Sequence, residues 1–249
     1  MGAMILSWDE ATREQLNAAL PTSVVVLPVG AVEQHGPHLA TGTDSRLAAL
    51  LAAAAARRAH EEHGVSVVVA PALPFGASAH HLPFGGTLSL TAATMLAVLT
   101  DLLRSMIASG ATRIVVVNGH GGNSGVVHAA AADVAAGHDG VAVAHLDYWR
   151  LVDPRADLNV PGHAGRFETS MMLATGWTPP DGEAYEPPRR AGALPPAEVL
   201  QVHSRRRWRD IDGWSDDPAG ADPATGEEIV ALAAAALARH LATFAQEPT

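Results

Sequence analysis

The chain contains no cysteine and no lysine. Without cysteine there can be no disulfide, no thiolate metal site and no Cys nucleophile, a composition that suits a reducing compartment. Without lysine, Schiff-base chemistry, a Walker A phosphate loop and a Ser-Lys dyad are excluded too. All 16 basic residues are therefore arginine, set against 26 acidic ones. The formal net charge of −10 opposes nucleic acid, whose phosphates such a field repels. The one basic cluster, Arg205-Arg206-Arg207-Trp208-Arg209, reads as a local surface or interface element. No apolar run reaches the roughly 18 to 20 residues that span a bilayer, and residues 1–7 carry no basic segment ahead of their short apolar stretch. The expectation is a soluble, cytoplasmic protein with no membrane partner. A G-x-S-x-G elbow for serine hydrolysis is missing as well. What remains for chemistry is carboxylate, hydroxyl, metal and the imidazoles of 13 histidines.

A chain of 249 residues with 48% hydrophobic content suits one large α/β domain with an ample core. Ser7 with Glu10 three residues on has the pattern of a capping box for a helix to about Leu20. The β-branched runs at 23–29, 65–70, 113–117 and 141–146 predict four buried strands. Helices are predicted over 45–60, 91–109, 124–136, 167–174 and 223–244. Alternation of strand and helix points to a mainly parallel sheet covered on both faces, a three-layer α/β/α sandwich. Residues 177–223 break this rhythm with three Pro-Pro pairs and read as an irregular excursion within a single domain, a lid or subunit contact.

Chemical residues cluster where the strands end. Glu33-Gln34-His35-Gly36-Pro37-His38 and Asp44 follow the first predicted strand, His80 and His81 the second, His120 the third, and His163 the fourth. In an open α/β sheet those ends converge on one crevice. Glu168, early in the following helix, can bring a carboxylate to the same place. Asp44, with candidate ligands on either side of it in the chain, is suited to bridge two cations, and carboxylate with imidazole suits Zn, Mn or Fe. The glycine-rich loop at 119–125 fits neither G-x-G-x-x-G nor a P-loop, so phosphate binding is disfavoured. His38 is ambiguous, since Pro37 can force it outward. His60, His63, His128, His138, His145, His203 and His240 read as structural.

Three segments resemble the signatures of the creatininase (creatinine amidohydrolase) family: Val29-Gly30-Ala31-Val32-Glu33-Gln34-His35-Gly36-Pro37-His38 with Asp44, Asn118-Gly119-His120-Gly121-Gly122-Asn123, and His163-Ala164-Gly165-Arg166-Phe167-Glu168-Thr169-Ser170. A fourth, His81-Leu82-Pro83-Phe84-Gly85-Gly86-Thr87, is similar to the family's His-x-x-Phe-Pro-Gly-Thr loop, with Gly85 in place of the usual Pro. The resemblance implies an α/β/α fold, two divalent metal ions (Zn, Mn or Fe), hydrolysis of an amide-type C–N bond in a small-molecule substrate by a metal-activated hydroxide, and a homohexamer. It implies Glu33, His35, Asp44 and His120 as metal ligands, His163 as the proton-shuttling histidine, and Ser78, His81, Gly121 and Gly122 as substrate-facing positions.

Creatininase itself carries Tyr and Glu where this chain has Gly121 and Gly122, the Glu serving as a ligand and the Tyr holding creatinine. Glu168 is therefore the expected fifth ligand, completing the second metal. Gly121 removes an aromatic cover and Gly122 is expected to leave empty space, so creatinine should be a poor substrate and something bulkier a better one. Lactams, formamides and peptide-like amides are the candidate substrates. The alternatives are a hydrolase acting on a cyclic ketone, or a noncatalytic metal or small-ligand binder that retains the fold.

Overall fold

A computed structural model describes residues 3–152, 162–178 and 202–249. Strands β1 (Ile5–Ser7), β2 (Val24–Val29), β3 (Val67–Val69), β4 (Arg113–Asn118) and β5 (Ala142–Asp147) form one sheet in the order β1-β3-β2-β4-β5. All four pairings are parallel. Between and after them run α1 (Arg13–Ala19), α2 (Thr43–His63), α3 (Ala92–Ala108), α4 (Ser124–Ala136), α5 (Arg166–Ala174), α6 (Arg205–Asp210) and α7 (Pro223–Phe244).

Alternation along the strands divides the core in two. Val24, Val26, Val67, Val115 and Val117 face α2, α5 and α7 through Leu47, Leu51, Met171, Met172, Ile229 and Leu237. Val25, Leu27, Val68, Ile114 and Val116 face α1, α3 and α4 through Ala19, Leu99, Leu103, Val127 and Val134. Every residue of β2 is buried because helices cover both of its faces, which is why its sequence shows a continuous apolar run instead of an alternating one. The order of the sheet also sets the site. From β2 the chain crosses to β3 on one side, then returns past β2 to β4 on the other, so the topological switch lies at the carboxyl ends of β2 and β4.

One expectation fails at the amino terminus. Ser7 does not cap a helix: it ends β1, pairing with Val69, and its hydroxyl donates to Asp9. The capping box lies five residues on, where the Thr12 hydroxyl accepts from the Gln15 amide and the Gln15 side chain accepts from the Thr12 amide. A three-residue strand is too short to show a period of its own, and only its pairing with β3 defines it. The irregular excursion is partly regular, since α6 lies within it; the Pro-Pro pairs at 179–180, 187–188 and 195–196 fall outside the described residues.

Two glycines bring α2 onto the sheet edge. Val29 and Asn118 are register partners, so Gly30 and Gly119 stand side by side just beyond β2 and β4. A Cβ on Gly30 would lie 2.5 Å from the Ser45 Cα, and one on Gly119 would lie 2.6 Å from the Asp44 carbonyl oxygen. The first turn of α2 thus rests directly on bare backbone. Gly30→Ala should force that turn outward and cost about 1–3 kcal/mol, as overpacking does. Thermal unfolding should show a Tm lowered by several degrees, and an unchanged Tm would mean that the helix start is not held by this contact.

Candidate metal centre

Each element delivers one part of the site. The turn after β2 carries Glu33, Gln34 and His35, the first turn of α2 carries Asp44, the loop after β3 carries Ser78, His80 and His81, and the end of β4 leads into His120. The segment before α5 supplies His163, and the first turn of α5 supplies Glu168. Asn118 and Asn123 hold this frame without facing the cluster. Asn118 donates to Asp147 and to the His120 carbonyl and accepts from the His120 amide. Asn123 donates to the Gly30 carbonyl and accepts from the Ala77 amide.

Glu33, His35, Asp44, His120, His163 and Glu168 are all buried and converge. Asp44 faces two ways: Oδ1 lies 3.0 Å from His35 Nε2, and Oδ2 lies 3.2 Å from His120 Nδ1. Glu33 Oε1 is 3.1 Å from His120 Nδ1 and 3.6 Å from His163 Nδ1. Glu168 Oε2 stands 3.8 Å from His35 Nε2 while accepting from the Ala164 amide at 2.6 Å. Ala164 takes a left-handed φ of 57° to aim that amide, a conformation that costs a non-glycine residue about 1–2 kcal/mol.

The tautomers follow from the acceptors. His35 Nδ1 donates to the Glu33 carbonyl, His163 Nε2 donates to the Gln34 carbonyl, and His120 Nε2 is turned to Ser78 Oγ and the Ala77 carbonyl. In its neutral form each ring must then turn a lone pair toward a carboxylate oxygen. Among the described residues, both oxygens of Glu33, Asp44 Oδ2 and His35 Nε2 have no hydrogen-bond partner. Lone pair against lone pair in a buried site repels unless positive charge lies between. Imidazoles anchored at one nitrogen, with the other directed at carboxylates, are what a divalent transition metal requires, so the donor set fits such ions. Among the described residues three overlapping groups place their candidate ligand atoms within 4.8 Å of one another: His35, Asp44 and Glu168; Glu33, His35 and His163; Glu33, His80 and His120.

Protons stand in for that charge when metal is absent. Burial opposes a charged His35, but the field of Asp44, with Glu168 and Glu33 behind it, raises its pKa to about 10. His120 is likewise raised, against burial, by Glu33 and Asp44. Burial alone would lift Asp44, yet the charges of His35 and His120 hold its carboxyl well below the usual range. Burial raises Glu168 to about 8. His163 and His81 move the other way, depressed by burial and then by the neighbouring imidazoles, so both rings are neutral.

The remaining expected positions divide. Ser78 is buried, with its hydroxyl 3.2 Å from His120 Nε2. Among the described residues nothing lies within 4 Å of where a Cβ on Gly121 would stand. Gly122 is crowded. A Cβ there would lie 2.4 Å from His120 Nε2 and 2.5 Å from the Ala77 carbonyl, so the expected empty space is already filled by these two groups. His38 has Nε2 3.2 Å from the Thr169 hydroxyl and its ring edge-on to Trp214.

Sequence reasoning passed over three residues. Gln34 lies inside the first motif, and its amide orientation is fixed because Oε1 accepts from the Gly36 amide while Nε2 donates to the Gly213 carbonyl. The second amide proton reaches His81 Nδ1 at 2.7 Å, which leaves the His81 proton on Nε2. Asp216 accepts from the His163 amide at 2.8 Å. Trp208, in the arginine run read as a surface element, covers the site: its ring lies 4.5 Å from His81 and 5.7 Å from His163. An aromatic residue inside a run of charges was the one signal available.

Comparison with known proteins adds to this geometry. The creatininase (creatinine amidohydrolase) family matches residues 9–241. A mycofactocin precursor peptide peptidase of Mycobacterium tuberculosis is 33% identical over 246 residues, covering 96% of this chain and 91% of that protein. A creatinine amidohydrolase of Pseudomonas putida is 35% identical over 192 residues, 68% of this chain and 69% of its own length. A solved structure described as the manganese form of creatininase superposes with a TM-score of 0.76 at 29% identity, over 94% of this chain and 96% of that one. Similarity that spans the sheet, the strand-end loops and the helices alike places this chain in the creatininase family of metal-dependent amidohydrolases.

Proposed function

We propose that the chain is a dinuclear hydrolase that cleaves a peptide-type amide in a substrate larger than creatinine. The observation that carries this reading is Asp44, whose two oxygens face His35 on one side and His120 on the other. One ion would be held by His35, Asp44 and Glu168, the other by Glu33, Asp44 and His120. When bound, such ions supply Lewis acidity at a carbonyl oxygen and lower the pKa of water towards neutrality.

The chain's own groups do the rest. His163 Nδ1, neutral and directed at the cluster, accepts the proton of the attacking water and returns it to the departing nitrogen. His81 Nε2–H faces Glu33 at 3.7 Å, beyond hydrogen-bond range, so this fixed donor is available to a substrate oxygen. Trp208 limits water at the mouth. The open face at Gly121 and the near full-length likeness to a peptide peptidase favour an extended amide over a small ring. A side-by-side assay of metal-loaded protein on short peptides and creatinine tests this, and creatinine turnover equal to that of the best peptide would overturn it.

Elemental analysis should find two transition-metal ions per chain, and chelation should abolish hydrolysis. In Glu168→Gln the stoichiometry should fall towards one; two ions held with normal affinity would remove Glu168 from the ligand set. His163→Ala should retain both ions while kcat drops by roughly 10² to 10⁴, the usual worth of a general acid or base. Loss of metal from that variant would make His163 a ligand.

Metal affinity should also depend on pH in a defined window. Glu168 keeps its proton up to about 8 and His35 up to about 10, and both must lose it to ligate. Affinity should therefore rise steeply from pH 6 to 8 and go on rising less steeply to about 10, with His120, whose pKa is also raised, adding its own proton to those released. Calorimetric titration in buffers of different ionisation enthalpy reads the released protons directly, and uptake without proton release would contradict this account.

A further inference from the structure

His80 belongs to no motif used above. Its ring lies beside and nearly parallel to that of His120, with centroids 5.6 Å apart and planes 7° from parallel, and it touches His81 and Trp208. The other four imidazoles of the site each have one nitrogen engaged: His35 with the Glu33 carbonyl, His120 with Ser78 and Ala77, His163 with the Gln34 carbonyl, His81 with the Gln34 amide. Among the described residues His80 is held by ring contact alone. One of its nitrogens lies within 4.8 Å of the ligand atoms of both Glu33 and His120. Gly122 has no side chain to offer that ion, and a Cβ there would lie 2.4 Å from His120 Nε2 as the ring stands.

We infer that His80 is the fourth protein ligand of the ion held by Glu33, Asp44 and His120. This rests on the dinuclear reading above and adds a difference between the two sites. The ion at His120 would have two imidazoles and two carboxylates, a closed tetrahedral set suited to zinc. The ion at His35, with one imidazole and two carboxylates, would keep the open positions that water and substrate need. Of the two sites, the one at His35 would then be the one with room for water and substrate.

The test compares His80→Ala with His80→Phe, the latter keeping an aromatic ring against His120 without a nitrogen donor. Sequential titration with Co²⁺ and Zn²⁺ against a chelating dye gives stoichiometry and affinity, and the visible spectrum of the cobalt form reports coordination number. Wild type should show one ion with the intense bands of four-coordinate cobalt. Both variants should lose that intensity and bind that ion more weakly, by at least the roughly 10- to 100-fold that loss of a supporting partner costs a metal site. Two ions bound by both variants with wild-type affinity and spectrum would overturn the inference and leave the dinuclear reading intact. A weakened Ala variant beside an unchanged Phe variant would also overturn it, assigning His80 to packing. Wild type that binds no transition metal would overturn both readings.

Discussion

Positive charge placed among buried carboxylates is the condition on which this structure depends. Glu33, Asp44 and Glu168 are all withdrawn from water, and the imidazoles between them are anchored so that each presents one nitrogen inward. Ionised carboxylates this close destabilise the fold unless something cationic lies among them. The sheet edge, the glycine contacts under α2 and the left-handed Ala164 all serve to bring these groups together. A protein that only needed a packed core would have no reason to put them there.

The fold was legible because it is carried by local patterns. The run Val24–Val29 is buried on both faces and reads as such, and the helices at 124–136 and 223–244 begin and end where their residues indicate. β1 was not legible, since three half-exposed residues acquire a strand only from β3, some sixty positions away. Convergence of Glu33, His35, Asp44, His120, His163 and Glu168 could be read from their positions at strand ends, because topology sends all such ends to one crevice. The space around Gly122 could not be read. A missing side chain predicts a cavity only if the neighbours stay away, and here His120 and Ala77 have moved in. Trp208 was hidden for a similar reason: composition assigns an arginine run to the surface, and its four arginines are indeed exposed while the aromatic ring between them turns inward.

Gln34 shows how little of a site is its ligands. By committing one amide proton to Gly213 and the other to His81, it ties the segment after α6 to the ring that faces Glu33. A carboxylate in its place would have no proton to offer His81 Nδ1, and that ring would be released to the other tautomer. Support of this kind is invisible to a search for metal-binding residue types, because an amide side chain is not one of them.

The wide separation of the inward-facing groups along the chain has a thermodynamic consequence. They come from the turn after β2, the start of α2, the end of β4 and the start of α5, so no stretch of the unfolded polypeptide can assemble them. A cation they hold would bind the native state in preference to the unfolded chain and act as a crosslink between the sheet and two of its covering helices. At a free concentration a hundred times its Kd, each such ion would add about 2.7 kcal/mol to unfolding, comparable with a good part of the margin by which domains stay folded. Loss of metal would then be felt as lost folding reserve across both layers, well before any change in the architecture.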